Sequence, residues 1–139
     1  MKRLAIAGSS GYLCRNIIEH ERQRRGDVEI LGLDIRPPAS AEALPHRFVE
    51  FDILDPRLAD ALRSFRPDTV IHAAFVLAPI RDRRKMRRVN VDRCCNVLEG
   101  AANCGAGRVM LVSSANTSPE TLRDIVRSRH PDKRACPAR

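Results

Sequence analysis

The sequence predicts an α/β fold in which a parallel sheet carries helices on both of its faces. Five short apolar segments that fit buried strands alternate along the chain with segments whose apolar residues recur at helical spacing. Such alternation requires right-handed crossovers between parallel strands. We therefore predict a doubly wound sheet with the strand order 3-2-1-4-5.

The predicted elements follow from local signals of strand and helix. Strands are expected at 2–7, 28–33, 47–51, 68–74 and 108–112, with helices at 11–24, 57–65 and 82–104. Pro56 opens the second helix, and Gly105 and Gly107 end the third. The expected inner faces are Leu13, Ile17 and Ile18 in the first helix and Met86, Val89, Cys94, Val97 and Leu98 in the third.

Composition limits the class of protein. The chain has 139 residues, 43% of them hydrophobic and 30% charged, which suits one folded domain. No apolar run reaches the roughly 18 residues that a spanning helix needs, so we predict a cytoplasmic protein with no membrane partner. The five cysteines lack metal-ligand or disulfide spacing, and we predict reduced thiols that act as small apolar residues, with no metal site.

The net charge of +8 includes a basic run at 81–88, in which six of eight residues are Lys or Arg. A basic stripe can contact nucleic-acid phosphates, but one Tyr and no Trp leave few platforms for base stacking. A nucleic-acid-binding module, which predicts a steep salt dependence of DNA affinity, is therefore a disfavoured alternative. A solvated helix face is the default, and contact with an anionic substrate or a partner subunit stays open.

A glycine-containing turn joins the first strand to the first helix. Gly8 can make the tight turn that contains Ser10, and Gly11 lets the backbone approach a pyrophosphate without a Cβ in the way. Tyr12 and Leu13 then open a helix whose free N–H groups and partial positive charge suit phosphate. We predict a dinucleotide site here, with an ordinary glycine-rich turn as the alternative.

Asp34 lies 23 residues beyond Gly11, at the end of the second predicted strand. An acid at that place can accept hydrogen bonds from both adenosine ribose hydroxyls and would repel the 2′-phosphate of NADP. Arg36 could partly offset this repulsion. NAD is therefore favoured over NADP in a Rossmann-type fold, and a plain turn-forming role for Asp34 is the alternative.

Together with later motifs, these residues resemble the extended short-chain dehydrogenase/reductase family, the NAD-dependent epimerase/dehydratases. The matching segments, in the family's order, are 8–14, 52–53, 72–74, 90–101 and 105–115. The resemblance implies that Asp52 and Ile53 contact adenine and that Asn90 belongs to the cofactor site. It also implies that the backbone of Ala73, Ala74 and Phe75 lines the cofactor.

In the family, hydride moves between the nicotinamide and a sugar-like carbon. The resemblance therefore implies a nucleotide-sugar-like ligand, and a homodimer formed through the helix at 82–104. Three positions depart from the family pattern: Cys14 replaces the third glycine, and Arg93 and Cys94 replace a Gly-Thr pair. We expect these changes to reduce cofactor affinity.

The catalytic residues that the family implies are incomplete in this sequence. Ser114 matches the active-site serine, but Tyr12 is the only tyrosine and no Tyr-x-x-x-Lys occurs. We expect a dinucleotide-binding domain at 1–115 with an atypical tail at 116–139, from a truncated or frameshifted relative without its own turnover. A Tyr-x-x-x-Lys in another downstream reading frame would support this. A noncatalytic NAD-responsive binding or regulatory module is the alternative.

Overall fold

The structure, a computed structural model, describes residues 2–24, 27–40, 44–75, 86 and 88–113. The predicted active-site Ser114, the tail at 116–139 and most of the basic run at 81–88 lie outside the described residues. The first part of the helix predicted from residue 82 also lies outside them, apart from Met86. No helix within the described ranges is long and apolar enough to cross a bilayer.

The described elements form one parallel five-stranded sheet with the order β3-β2-β1-β4-β5, which confirms the predicted fold. The strands are β1 Lys2–Ala7, β2 Val28–Asp34, β3 Arg47–Glu50, β4 Thr69–His72 and β5 Arg108–Leu111. The helices are α1 Tyr12–Gln23, α2 Arg57–Phe65 and α3 Arg93–Asn103, and a π-helical segment, Arg88–Asp92, leads into α3.

The strand register aligns the carboxyl ends of the three central strands. Ala7, the last residue of β1, pairs with Leu33 of β2 on one side and with His72 of β4 on the other. Helix α1, which follows β1, and helix α3, which comes after β4, pack on opposite faces of the sheet, so a crevice forms where the strand order reverses. The residues that follow these strands therefore meet at one edge of the sheet.

Alternate residues of the strands pack on opposite faces of the sheet, as the pleat requires. Ala5 and Ala7 belong to the core under α2 and α3, and the intervening Ile6 belongs to the core under α1. Gly100 allows α3 to approach α2 closely, since a Cβ there would lie 2.9 Å from Leu62 Cδ1. The central strands are thus covered on both faces, whereas Val109 and Met110 of the edge strand β5 are exposed.

The predicted inner face of the first helix is wrong at one position. Leu13 is 48% exposed, whereas Cys14 and Ile18 are buried and Ile17 is half-buried. Residues 14 and 18 lie one helical turn apart and face the sheet. Leu13, rotated by about 100° from that line, faces solvent beside the crevice.

The described part of the third predicted helix is not one regular α-helix, because residues 88–92 adopt π-helical hydrogen bonding before α3 begins. Cys94 and Val97 are buried as expected, and Leu98 is half-buried. Cys95 and Ala101 are buried as well, although neither was assigned to the inner face. The apolar spacing gave no signal of the π-helical segment.

Cys14 takes the place of a small apolar residue between α1 and the sheet. Its neighbours in the core are Ile6, Ile18, Ile30 and Ile71. Burial, with a smaller contribution from the charge of Asp34, raises the pKa of the Cys14 thiol to about 11. Cys94, Cys95 and Cys104 also form no disulfide with another described residue, and Cys94 and Cys95 are buried.

We expect Cys14→Ala to lower the free energy of unfolding by about 1 kcal/mol, because it removes one buried sulfur atom. Cys14→Ser keeps the size of the side chain but places a hydroxyl in an apolar environment, and should cost about 2 kcal/mol. Urea denaturation of the two variants measures both values. A Ser variant as stable as the Ala variant would show that this site is hydrated and not part of an apolar core.

Candidate functional site

A cleft of about 640 Å³ opens at the carboxyl edge of the sheet, where the central strands end. Ten of the residues predicted for the cofactor line it: Gly8, Ser10, Gly11, Asp34, Arg36, Asp52, Ile53, Ala73, Ala74 and Phe75. They come from loops that follow four different strands. The aligned strand ends therefore bring together segments that are far apart in the chain.

Four other predicted residues do not line this cleft with described side chains. Tyr12 is 76% exposed, and Leu13 is also exposed. These two residues can therefore serve the proposed site only through their backbone N–H groups, at the start of α1. Asn90 is half-buried in the π-helical segment. Ser114 lies outside the described residues.

Gly8 occupies a conformation and a space that only glycine fits. Its φ is +88°, and a Cβ there would lie 2.7 Å from the backbone nitrogen of Ala74 and 2.8 Å from the carbonyl carbon of Ala73. Its N–H donates to the Leu33 carbonyl at 2.8 Å. The turn is therefore tied to β2 on one side and pressed against the loop after β4 on the other.

Helix α1 begins directly after this turn with its first N–H groups available to a ligand. Gly11 is the N-cap residue; the end has no side-chain cap and no acidic residue in the first turn. The Gly11 N–H donates to the Gly8 carbonyl at 3.1 Å, which closes the turn. An uncapped helix N-terminus of this kind attracts anions through its N–H groups and its partial positive charge.

The carboxylate of Asp34 lies against the same turn. Oδ2 accepts a hydrogen bond of 2.9 Å from the Ser10 N–H, and Oδ1 accepts one of 3.3 Å from the Arg36 N–H. The Ser10 hydroxyl donates to the Arg36 carbonyl at 2.6 Å. The acid at the end of β2 and the turn before α1 are therefore joined into one rigid corner of the cleft.

The opposite end of the cleft contains an ion pair that the sequence did not predict. Arg93, at the start of α3, donates from Nε to Asp52 Oδ1 at 2.9 Å and from Nη2 to Oδ2. The hydrogen bonds from Arg93 hold the pKa of Asp52 below its usual value, and the hydrogen bond from the Leu54 N–H makes a smaller contribution in the same direction. The Asn96 amide donates to the Ile53 carbonyl and fixes the neighbouring residue.

The only sequence signal for Arg93 was that it replaces a glycine of the family motif. Asn96 matched the motif, but no functional role was predicted for it. Arg93 and Asp52 are 41 positions apart, so no local pattern links them. Within the described part of the chain, no group of three or more His, Cys, Asp or Glu side chains could hold a metal ion.

His72 lies beneath the cleft at the end of β4. It is fully buried, and its ring centroid is 4.9 Å from that of Phe75. Neither ring nitrogen has a hydrogen-bond partner among the described residues. Burial, with a smaller contribution from the charge of Arg93, lowers the pKa of His72 to about 4, so the ring is neutral at pH 7.

Comparison with known proteins places the chain in a family. The sequence profile described as the NAD dependent epimerase/dehydratase family matches residues 4–135. The chain belongs to this family. The match confirms the resemblance inferred from the motifs, and it extends past Ala115, where the motif-by-motif resemblance ended.

The similar curated proteins are themselves uncharacterized. An epimerase/dehydratase of Staphylococcus saprophyticus is 30% identical over 107 residues, which cover 73% of this chain and 33% of that protein. One of Staphylococcus epidermidis is 31% identical over 110 residues, with the same two coverages. The chain thus spans about a third of the length of these relatives.

Solved structures share the fold. The enzyme WbmG of Bordetella bronchiseptica, in complex with NAD, is 30% identical with a TM-score of 0.71, over 81% of this chain and 37% of that one. WbmH of the same organism, in complex with NAD⁺, is 25% identical with a TM-score of 0.67, over 78% and 37%. The Brucella ovis UDP-glucose 4-epimerase, at 22% identity and a TM-score of 0.73, shows the fold alone over 83% and 36%.

Proposed function

We propose that the chain binds NAD in the cleft at the carboxyl edge of the sheet. The hydrogen bond between the Asp34 carboxylate and the Ser10 N–H carries this proposal, because it holds an acid for ribose beside a turn for phosphate. The WbmG and WbmH structures, which contain NAD, support the choice of dinucleotide.

The residues present fit each part of such a ligand. The diphosphate would lie against the backbone of Ser10, Gly11, Tyr12 and Leu13, at the uncapped start of α1. A Cβ at Gly11 would lie 3.2 Å from the Gly8 carbonyl oxygen, so glycine keeps this approach open. Asp34 would hold the adenosine ribose and disfavour the 2′-phosphate of NADP, with Arg36 beside it.

The remaining residues are assigned to the base and to the nicotinamide end. Asp52 and Ile53 would contact the adenine, and the backbone of residues 73–75 would line the opposite wall, since all of them border the cleft. NAD supplies a hydride acceptor when it is bound. Asn90 and Ser114 are proposed for the nicotinamide side from the family motifs.

Binding, without turnover, is the activity proposed for these 139 residues, because their sequence contains no Tyr-x-x-x-Lys.

A nucleotide-sugar-like molecule is proposed as the second ligand, supported by the WbmG complex with NAD and UDP at 29% identity. We also propose a homodimer through the segment 82–104, for which sedimentation would have to show twice the monomer mass. A cytoplasmic location is proposed as well, supported by the reduced state of the four described cysteines, Cys14, Cys94, Cys95 and Cys104.

Asp34→Asn tests the proposed site. Asparagine keeps an oxygen for the Ser10 N–H but has no charge for the ribose hydroxyls, so we expect NAD affinity to fall about 10- to 100-fold. The preference for NAD over NADP should shrink in the same variant. Isothermal titration of the purified chain with each dinucleotide measures both effects.

Asp60→Asn is the matched control, because Asp60 is exposed on α2 and forms an ion pair with Arg63 at 2.8 Å. It makes the same chemical change away from the cleft and should leave both affinities unaltered. Failure of the unaltered chain to bind either dinucleotide would refute the proposed function.

A further inference from the structure

The ion pair between Arg93 and Asp52 fixes one wall of the cleft. It joins the loop after β3 to the first turn of α3, and both residues border the cleft. The Arg93 side chain is 15% exposed and that of Asp52 is 41% exposed. The guanidinium is therefore mostly enclosed by protein, while the carboxylate stays accessible to a ligand.

The hydrogen bonds leave one acceptor position on that carboxylate. Oδ1 accepts from Arg93 Nε at 2.9 Å and from the Leu54 N–H at 3.0 Å, and Oδ2 accepts from Arg93 Nη2. Each carboxylate oxygen offers two lone pairs. Among the described residues, three of these four positions are used, and the fourth is on Oδ2.

We infer that Arg93 is a positioning residue that holds Asp52 so that the cleft selects a base with an exocyclic amine. The inference rests on the proposed function and adds to it a residue that replaces a glycine of the family motif. A planar guanidinium that donates two parallel hydrogen bonds fixes the plane of the carboxylate, which a lysine ammonium cannot do.

The negative charge of Asp52 determines which kind of base this wall of the cleft prefers. An exocyclic amine can donate to the remaining position on Oδ2, whereas a keto oxygen placed there would face another acceptor. The hydrogen bonds from Arg93 also hold the pKa of Asp52 low, so the carboxylate remains an acceptor throughout the neutral range. Without Arg93, the half-exposed carboxylate could rotate, and much of its orientation would be lost.

The experiment compares two dinucleotides that differ at this one group. NAD carries the amine of adenine, and nicotinamide purine dinucleotide carries a hydrogen atom in its place. Titration calorimetry gives the ratio of their dissociation constants for the unaltered chain, Arg93→Met, Arg93→Lys and Arg63→Met. Arg63 is exposed on α2 and paired with Asp60, so its variant controls for the loss of one positive charge.

We expect the unaltered chain and Arg63→Met to prefer NAD by about tenfold, which corresponds to one charge-assisted hydrogen bond. In Arg93→Met the ratio should fall to about twofold or less, and in Arg93→Lys it should be intermediate. A loss of folded protein lowers both affinities equally and leaves the ratio unchanged. The ratio therefore separates positioning from a purely structural role.

The other outcomes overturn the inference. The role of Arg93 is excluded if the ratio in Arg93→Met equals or exceeds that of the unaltered chain, or if the unaltered chain shows no preference. Either result leaves NAD binding intact. If Arg93→Met does not fold, the role is excluded when the ratio in Arg93→Lys equals that of the unaltered chain. An unaltered chain that binds neither dinucleotide refutes the inference together with the proposed function.

Discussion

Replacing Gly8 with alanine should lower the free energy of unfolding by about 2–5 kcal/mol. Two costs add in this variant: a side chain at a φ of +88°, and a Cβ within 2.7–2.9 Å of the backbone of Ala73 and Ala74. Backbone atoms cannot rotate away as a side chain could, so the turn or the loop after β4 must move. Urea or thermal denaturation of the purified chain measures the loss.

Gly105→Ala is the matched control for this effect. Gly105 also has a positive φ, of +74°, but no atom of the described structure lies within 4 Å of a Cβ added there. Its replacement should cost only the conformational strain, about 1 kcal/mol. Equal losses in the two variants would show that the close approach of Gly8 to the loop after β4 contributes nothing.

The stability of the chain should fall by about 3 kcal/mol as the pH is lowered from 6.5 to 4, because of His72. Its pKa is lowered from 6.5 to about 4 in the folded chain, so over this range the unfolded state binds the proton and the folded state does not. Each unit of difference corresponds to about 1.4 kcal/mol. Well above pH 6.5 the ring is neutral in both states, and His72 adds no pH dependence.

His72→Phe isolates this contribution, because it keeps an aromatic ring beside Phe75 and removes the titrating group. Denaturation curves at several pH values should show a shallower fall for the variant between pH 6.5 and 4. Carboxylates and the other histidines titrate in both proteins, so the difference between the two pH dependences of stability comes from His72. Parallel curves for the two proteins would mean that the pKa of His72 is the same in the folded and the unfolded chain.

The sequence alone determined the sheet, its strand order and the place of the cleft. Each of these depends on local signals: apolar runs that fit buried strands, a glycine turn between a strand and a helix, and an acid at the next strand end. Parallel strands joined by right-handed crossovers then place β2 beside β1, so that Gly8 and Asp34 meet. The observed order β3-β2-β1-β4-β5 is one of the common doubly wound arrangements that these rules allow.

Only the tertiary structure decided which side chains meet across the cleft and which are buried. The contact of Arg93 with Asp52 spans 41 residues, and the burial of Cys14 in place of Leu13 depends on how α1 is rotated against the sheet. The low pKa of His72 likewise requires neighbours from several strands and loops. These properties depend on distances between distant segments, and no periodicity or motif within one segment contains them.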